Sequence, residues 1–227
     1  MSPTMPDRFY ITGTDTGAGK TVASCALLHA LRARGLRAVG MKPVASGCER
    51  TPAGWRNADA LALRDASDPP PDYADLNPFA LPDPLAPELA ARAAGIDVGL
   101  EPLLQAFSRL RARADAVVVE GVGGWAAPLS PTLDQRDLVR ALRLPVVLVV
   151  GMRLGCLNHA RLSAAAIAAD GCQLLGWIAS EVDPDMACRD ENRALLAKRL
   201  PAPCLGHLPY ALDPQPITLA AHLTLPL

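Results

Sequence analysis

Aromatic residues make up only 4% of the 227-residue chain, and it has no long hydrophobic run. The longest apolar stretch, Leu144 to Met152, is less than half of the ~20 residues a membrane-spanning helix needs. The opening residues Met1-Ser2-Pro3-Thr4-Met5-Pro6-Asp7-Arg8 contain no apolar core of a secretion signal. Neither sign of charge dominates. Against 22 Lys and Arg stand 23 Asp and Glu, for a net charge of −1, and no basic stripe of the kind that grips nucleic acid is visible. There are six cysteines, Cys25, Cys48, Cys156, Cys172, Cys188 and Cys204, but no pair has Cys-x-x-Cys spacing. His29, His159, His207 and His222 are scattered. Together these absences predict a soluble, cytoplasmic protein with free thiols, no membrane contact and no nucleic-acid partner.

What is present is the composition of a globular protein. Half of the residues are apolar and 20% are charged, enough for a sizeable core. The 22 prolines, about twice the average usage of ~5%, gather in loops. Short β-type runs are predicted at Arg8–Thr12, Ala38–Met41, Ala116–Val119, Val146–Val150, Leu174–Ala179 and Cys204–Leu208. The continuous β-branched runs Val117-Val118-Val119 and Val146 to Val150 suit strands buried on both faces, as in a parallel sheet. Helical periodicity covers Gly19–Arg34, Leu100–Ala114, Asp134–Arg143, Asn158–Ala169 and Arg189–Leu200. Asn57 is a good N-cap for a further helix through Ala66. Pro43–Arg56 and Asp68–Pro87 read as loop, although Pro87 can open a short helix. Strands alternating with helices predict a doubly wound α/β fold, its sheet mainly parallel and covered by helices on both faces. No linker divides the chain, so residues 1–227 are expected to form one domain, with a Pro-rich, poorly determined tail after Asp213.

The strongest chemical signal is Gly13-Thr14-Asp15-Thr16-Gly17-Ala18-Gly19-Lys20-Thr21, placed between a strand and a helix. Glycines let backbone N–H groups turn inward around an anion, and the helix N-terminus adds partial positive charge. Lys20 can reach the β- and γ-phosphates, and the Thr21 hydroxyl can sit on Mg²⁺. Gly13 lies one residue earlier than the common pattern G-x-x-x-x-G-K-[ST] places its first glycine. The motif makes this a P-loop NTPase-like chain. Glu120 follows the Val117-Val118-Val119 run, at the strand end where open α/β sheets gather ligands. It can reach Mg²⁺ directly or through water. A flexible turn is expected beyond it, over Gly121-Val122-Gly123-Gly124-Trp125. Lys42 alone reads as a strand-end surface lysine, and Asp59 as an ordinary first-turn helix acid.

Four blocks give the chain a more specific look. They are Gly13-Thr14-Asp15-Thr16 with Gly19-Lys20-Thr21, then Lys42-Pro43-Val44-Ala45-Ser46-Gly47, Glu120-Gly121-Val122-Gly123-Gly124-Trp125 and Gly155-Cys156-Leu157-Asn158-His159. In order and approximate spacing, to about Tyr210, the chain resembles the dethiobiotin synthetases, ATP-dependent cyclo-ligases of biotin synthesis. The resemblance implies that 7,8-diaminopelargonic acid takes up CO₂ as a carbamate, that ATP phosphorylates it, and that ring closure releases phosphate beside ADP. It implies Lys42 and Lys20 as catalytic cations, and Thr21, Asp59 and Glu120 around Mg²⁺. For ATP it implies Gly17, Ala18, Gly19, Lys20, Thr21 and Val22, with Gly121, Val122 and Gly123 beside the phosphates. Ser180, Glu181, Pro209, Tyr210 and Ala211 fall on the base side. Thr16 and Ser46 would contact the substrate. Gly155, Cys156 and Asn158 would receive its carboxylate from the partner subunit of a homodimer.

Two positions depart from the family pattern. Gly17 stands where many members have Glu. Ser180-Glu181 stands where Asn-Asp is usual, and a serine hydroxyl cannot make the two-point contact of an amide. Relaxed base selectivity is therefore expected. Three other readings fit less well. A partner-driven ATPase switch of division or partition would carry lysine at Asp15, and the tail Ile217 to Leu223 has no basic face for a membrane. A glutamine-dependent amide-forming ligase needs a glutaminase domain for which 227 residues leave no room. A degenerate module would not be expected to keep Lys20, Thr21, Lys42, Asp59 and Glu120 together.

Overall fold

The apolar runs become one six-stranded sheet in the computed structural model, which describes residues 7–225. Its strands are β1 (Arg8–Gly13), β2 (Ala38–Met41), β3 (Ala116–Gly124), β4 (Val146–Met152), β5 (Leu174–Glu181) and β6 (Cys204–Leu208). They lie in the order β6-β5-β4-β1-β3-β2, and every pairing is parallel. The chain goes from β1 out to the edge at β2, returns to β3, and then crosses to β4 on the other side of β1. The carboxyl end of β1 thus lies at the switch point where parallel sheets bind ligands.

Both faces of the sheet are covered, which is why its strands read as unbroken apolar runs. Helices α1 (Lys20–Arg32) and α2 (Ala58–Ala66) bury Phe9, Ile11, Val118, Val147 and Val149 on one face. Helices α3 (Pro87–Ala94), α4 (Leu100–Arg113) and α5 (Gln135–Leu142) cover the other, where Tyr10, Val117 and Val119 point. Helices α6 (Cys156–Ala169) and α7 (Arg189–Arg199) enclose Leu148, Val150 and Trp177. Register enforces this division. Tyr10 pairs with Val119 and Val146 while its neighbours Phe9 and Ile11 turn to the opposite layer, as the two-residue repeat of a strand requires.

The structure departs from the sequence reading in several places. Strand β3 does not stop at Val119 but runs to Gly124, with a register shift opposite Ile11 to Gly13, so the expected flexible turn is paired backbone. Helix α6 begins at Cys156 rather than Asn158, with Gly155 as its N-cap at φ 94°. The segments predicted as loops contain two small strand pairs, Val44–Ala45 with Phe79–Ala80 and Glu49–Thr51 with Gly54–Arg56. A short helix, Tyr73–Leu76, comes just before Phe79–Ala80 in the chain. Strands of two or three residues are too short to show a period. The tail forms a helical turn at Pro216–Leu219 and a 3₁₀ turn at Ala220–His222, and buries Leu219 and Leu225 in the layer that holds α1. Among the described residues no helix is long and apolar enough to cross a membrane.

Candidate active site

Between β1 and α1 the backbone wraps into a loop of six residues. The Lys20 side chain folds back past Gly13, where a Cβ would come within 3.0 Å of Lys20 Cγ. That close approach accounts for a glycine one residue earlier than usual. Lys20 Nζ donates to the Asp15 carbonyl at 3.0 Å. Thr14 ties the loop to β4, its N–H donating to Val149 O at 2.9 Å and its hydroxyl accepting from Gly151 N–H at 3.2 Å. Arg153 pairs with Asp15 at 3.0 Å.

Burial lowers the Lys20 pKa to about 8, and the nearby Lys42 cation adds to the effect. Phosphate beside the ammonium reverses that balance, because an opposite charge favours the charged form. ADP binding at pH 8 is therefore expected to take up about half a proton, and less at pH 7. Calorimetry in buffers of different ionisation enthalpy measures this. Lys20→Arg, charged throughout, will abolish the uptake.

A second cluster faces the loop. Lys42 follows β2, Asp59 sits in the first turn of α2, Glu120 lies within β3 and Thr21 is in the first turn of α1. Lys42 Nζ donates to Glu120 Oε1 at 2.6 Å, to Asp59 Oδ2 at 3.0 Å and to Gly121 O at 3.3 Å. The Thr21 hydroxyl donates to the same Glu120 oxygen at 2.9 Å. Glu120 is fully buried, and its Oε2 has no hydrogen-bond partner. Burial by itself would lower the Lys42 pKa, but Glu120 and Asp59 outweigh it and hold the ammonium above its ordinary range. Burial would raise the Asp59 pKa, but Lys42, Thr21 and Lys20 outweigh it and hold the carboxyl below its ordinary range. Lys42 and Asp59 are thus held in their ionic forms at neutral pH. The cluster's hydroxyl and two carboxylates form an all-oxygen set of the kind that Mg²⁺ accepts together with phosphate oxygens. The unpartnered Oε2 is an acceptor with no donor, as a cation ligand requires.

Asn57 positions Asp59. Its Oδ1 accepts from Ala60 N–H at 3.2 Å as the N-cap of α2, and its Nδ2 donates to Ser46 O at 3.2 Å. One side chain therefore joins the Asp59 helix to the Ser46 segment. Asn57→Ala is expected to cost about 1–2 kcal/mol, measurable by urea denaturation.

These residues enclose a cavity of about 850 Å³. Thr16, Gly17, Gly19, Lys20, Thr21 and Val22 form its loop side. Lys42, Ser46 and Asp59 form one wall, and Val122 and Gly123 another. Ala18 is buried beneath the loop, and Glu120 and Gly121 lie behind Lys42. Sequence reasoning missed the Pro84–Pro87 wall and Arg153, and it read Asn57 correctly as the helix cap without placing it on the cavity.

The other predicted residues lie outside this cavity. Ser180, at 5% exposure, sits against Gly19, where a Cβ would come within 2.2 Å of its hydroxyl oxygen. Glu181 accepts from Tyr210 N–H at 3.1 Å and Arg189 Nη1 at 2.9 Å, and lies 2.6 Å from His207 Nε2. This holds the Pro209, Tyr210 and Ala211 segment to the end of β5. His207 and Arg189 carry no sequence signal for that role. Gly155 and Asn158 are exposed at the start of α6. Cys156 is buried, burial pushes its thiol pKa up, and its N–H donates to Arg153 O at 3.0 Å. The Cys156 backbone donor is therefore already used within the chain.

Known proteins resemble this chain over most of its length. A family model described as an AAA domain matches residues 7–218. The ATP-dependent dethiobiotin synthetase BioD of Xanthomonas oryzae pv. oryzae (strain PXO99A) is 68% identical over 221 residues, covering 97% of this chain and 99% of that one. The protein of the same description from Xylella fastidiosa (strain 9a5c) is 65% identical over 217 residues, covering 95% and 96%. Among solved structures, the signal recognition particle receptor FtsY of Elizabethkingia anophelis superposes with TM-score 0.55 at 15% identity, covering 95% of this chain and 64% of that one. The signal recognition particle 54 kDa protein of Aeropyrum pernix K1, in complex with GDP, gives 0.58 at 14% identity, covering 96% and 44%. At that distance the likeness is one of fold, the α/β P-loop architecture expected from the sequence.

Proposed function

The chain belongs to the dethiobiotin synthetase family and is an ATP-dependent ring-closing ligase of biotin biosynthesis, and we propose that the Lys42 cluster and the phosphate loop together carry the reaction. The substrates are 7,8-diaminopelargonic acid and CO₂. One amine attacks CO₂ and loses a proton, giving a carbamate. A carbamate oxygen attacks the γ-phosphorus of ATP, and ADP leaves. The second amine then attacks the carbonyl and expels phosphate, closing the five-membered ureido ring.

Every step creates or moves negative charge, so the enzyme contributes mainly positioning and electrostatic stabilisation. Lys20 and the loop N–H groups hold the phosphates. Lys42, across the same cavity, neutralises the carbamate and the phosphoryl group in flight. Thr16 and Ser46 orient the diamine. Thr21, Asp59 and Glu120 would hold Mg²⁺, which neutralises phosphate charge when bound. The observation that carries this reading is the buried Lys42 ammonium, 2.6 Å from Glu120 and 3.0 Å from Asp59, lining the same cavity as the phosphate loop. The test is incubation with Mg-ATP, ¹³C-bicarbonate and the diamine. Labelled dethiobiotin with matching ADP release is the expected result. ADP release without labelled product would remove the ligase assignment.

The finer assignments are part of the same proposal. Ser180, Glu181 and the Pro209–Ala211 segment face the base, and one serine hydroxyl selects it weakly. CTP and GTP are expected to compete with ATP within about tenfold, roughly the 1.4 kcal/mol that one neutral hydrogen bond supplies. A competition assay that prefers ATP by orders of magnitude would exclude this. Gly155 and Asn158, exposed at the start of α6, complete the carboxylate pocket across a homodimer, with Cys156 as the small buried residue between them. Leu154 at 96% and Leu162 at 62% exposure leave apolar surface beside them for a second copy to cover. The six free cysteines support a reducing, cytoplasmic setting, and one continuous sheet supports a single P-loop domain.

A further inference from the structure

Outside the cavity lies a buried polar network that the reaction as described does not use. Gln135, the first residue of α5, is completely buried. Its Oε1 accepts from Tyr10 Oη at 2.6 Å and from Val122 N–H at 3.0 Å. Its Nε2 donates to Gly124 O at 2.6 Å. The side-chain amide thus bonds the backbone of β3 on both sides of Gly123, as a neighbouring strand would. Tyr10 is equally enclosed, and burial together with the nearby Glu120 charge raises its pKa far above the ordinary phenol range, which keeps it a donor. Gly121 is the residue on which this network closes. A Cβ there would come within 2.3 Å of Gln135 Oε1 and 2.5 Å of Tyr10 Oη.

The peptide unit between Gly121 and Val122 is held from both ends. Its carbonyl accepts from Lys42 Nζ at 3.3 Å, and its N–H donates to Gln135 Oε1. A peptide group is planar and rigid, so moving one end moves the other. We propose that Gln135, steadied by Tyr10, is a positioning residue for Lys42, acting through the Gly121–Val122 peptide. The inference rests on the ligase reading for its catalytic consequence, although the linkage to Lys42 can be observed without turnover. Gln135 does not itself line the cavity and reaches it only through the backbone of Val122 and Gly124, while Lys20 and the loop N–H groups that hold the phosphates are untouched. Loss of Gln135 would leave nucleotide binding in place while the ammonium loses one of its three fixed acceptors. Misplacement of a reacting group by about 1 Å costs on the order of 100-fold in rate.

The experiment compares wild type, Gln135→Met and Tyr10→Phe. Methionine keeps the length and volume of the side chain and removes all three hydrogen bonds, whereas Tyr10→Phe removes one and provides the milder variant should Gln135→Met not fold. For each, kcat, KM for ATP and ADP affinity are measured per folded molecule. The Lys42 ammonium is followed by ¹H–¹⁵N correlation, assigned by its loss in Lys42→Arg. Gln135→Met is expected to lower kcat by roughly 10- to 100-fold, leave ADP affinity within about twofold and shift or broaden the Lys42 signal. Tyr10→Phe should do the same to a smaller degree. An unchanged kcat per folded molecule would overturn the proposal, and so would a lower kcat with an unmoved Lys42 signal. If wild type makes no dethiobiotin but the Lys42 signal still moves in the variants, the ligase reading fails and the linkage stands. If neither turnover nor movement is seen, both fail.

Discussion

Replacing Lys42 by methionine will lower dethiobiotin formation by about a thousandfold or more, while ADP binding changes little. Loss of one preorganised donor at a site of developing charge costs about 10²–10³ in rate, and Lys42 brings a full positive charge within a buried cluster. Nucleotide affinity is held instead by Lys20 and the loop backbone. The variant also has a structural cost. Glu120 is fully buried, and among the described residues its Oε2 has no partner and Lys42 Nζ is the only cation bonded to its Oε1. Removing one member of such a pair costs about 3–5 kcal/mol, because the other charge stays buried. Lys42→Met alone will therefore unfold at a lower temperature, and part of its lost activity could be lost protein. The Lys42→Met/Glu120→Gln double variant relieves the structural cost and at the same time gives up one carboxylate proposed for Mg²⁺, so it tests whether stability alone restores turnover. It removes both charges, so stability is expected to return most of the way, while product formation stays at the level of the single variant. Thermal denaturation and the labelled-product assay, normalised to folded protein, measure the two quantities. Recovery of turnover along with stability would show that Lys42 acts through folding alone.

How far this site could be read beforehand differs from residue to residue. The phosphate loop was legible because its function is local. Glycines, lysine and threonine act within nine consecutive residues, between a strand and a helix that each announce themselves. The same holds for the buried strands, whose β-branched runs needed no partner to be recognised. Asp59 is the opposite case. Its sequence neighbourhood describes a helix N-terminus and nothing more, and it is set apart by Lys42, which reaches it from the end of another strand. Only the family resemblance pointed to it. Glu120 was found for a reason that needs correcting. The apolar run before it reads as a strand that ends there, whereas β3 continues four residues further because Gly124 pairs with Gly13 and Gln135 bonds Val122 and Gly124. Gln135 gave no signal at all. It looks like an ordinary first helical residue, and its Tyr10 partner is 125 positions away. Hydrophobic period reports which side chains are buried, and it does not report which buried polar groups meet.

Gly19→Ala will abolish measurable nucleotide binding, raising the ADP dissociation constant by about 100-fold or more. Two costs combine. Gly19 holds φ at 87°, a left-handed conformation that costs an L-residue about 1–2 kcal/mol. Its added Cβ would also fall 2.2 Å from Ser180 Oγ and 3.2 Å from Ser180 Cβ, so turning the hydroxyl away still leaves the Cβ of a paired β5 residue crowding the loop. The strain is local to the loop, whereas the clash couples the loop to the strand that carries the base-side residues. Ser180→Gly removes both side-chain atoms that crowd the position, the hydroxyl oxygen and the Cβ at 3.2 Å. In the Gly19→Ala/Ser180→Gly double variant only the backbone strain remains. ADP affinity should then return to within about tenfold of Ser180→Gly alone, the equivalent of about 1.4 kcal/mol. No recovery would mean that the left-handed backbone, rather than contact with β5, governs the loop. Recovery would show why a short side chain suits position 180. The phosphate loop packs directly on it, so the identity of that residue is limited by the geometry of the phosphates as well as by the base.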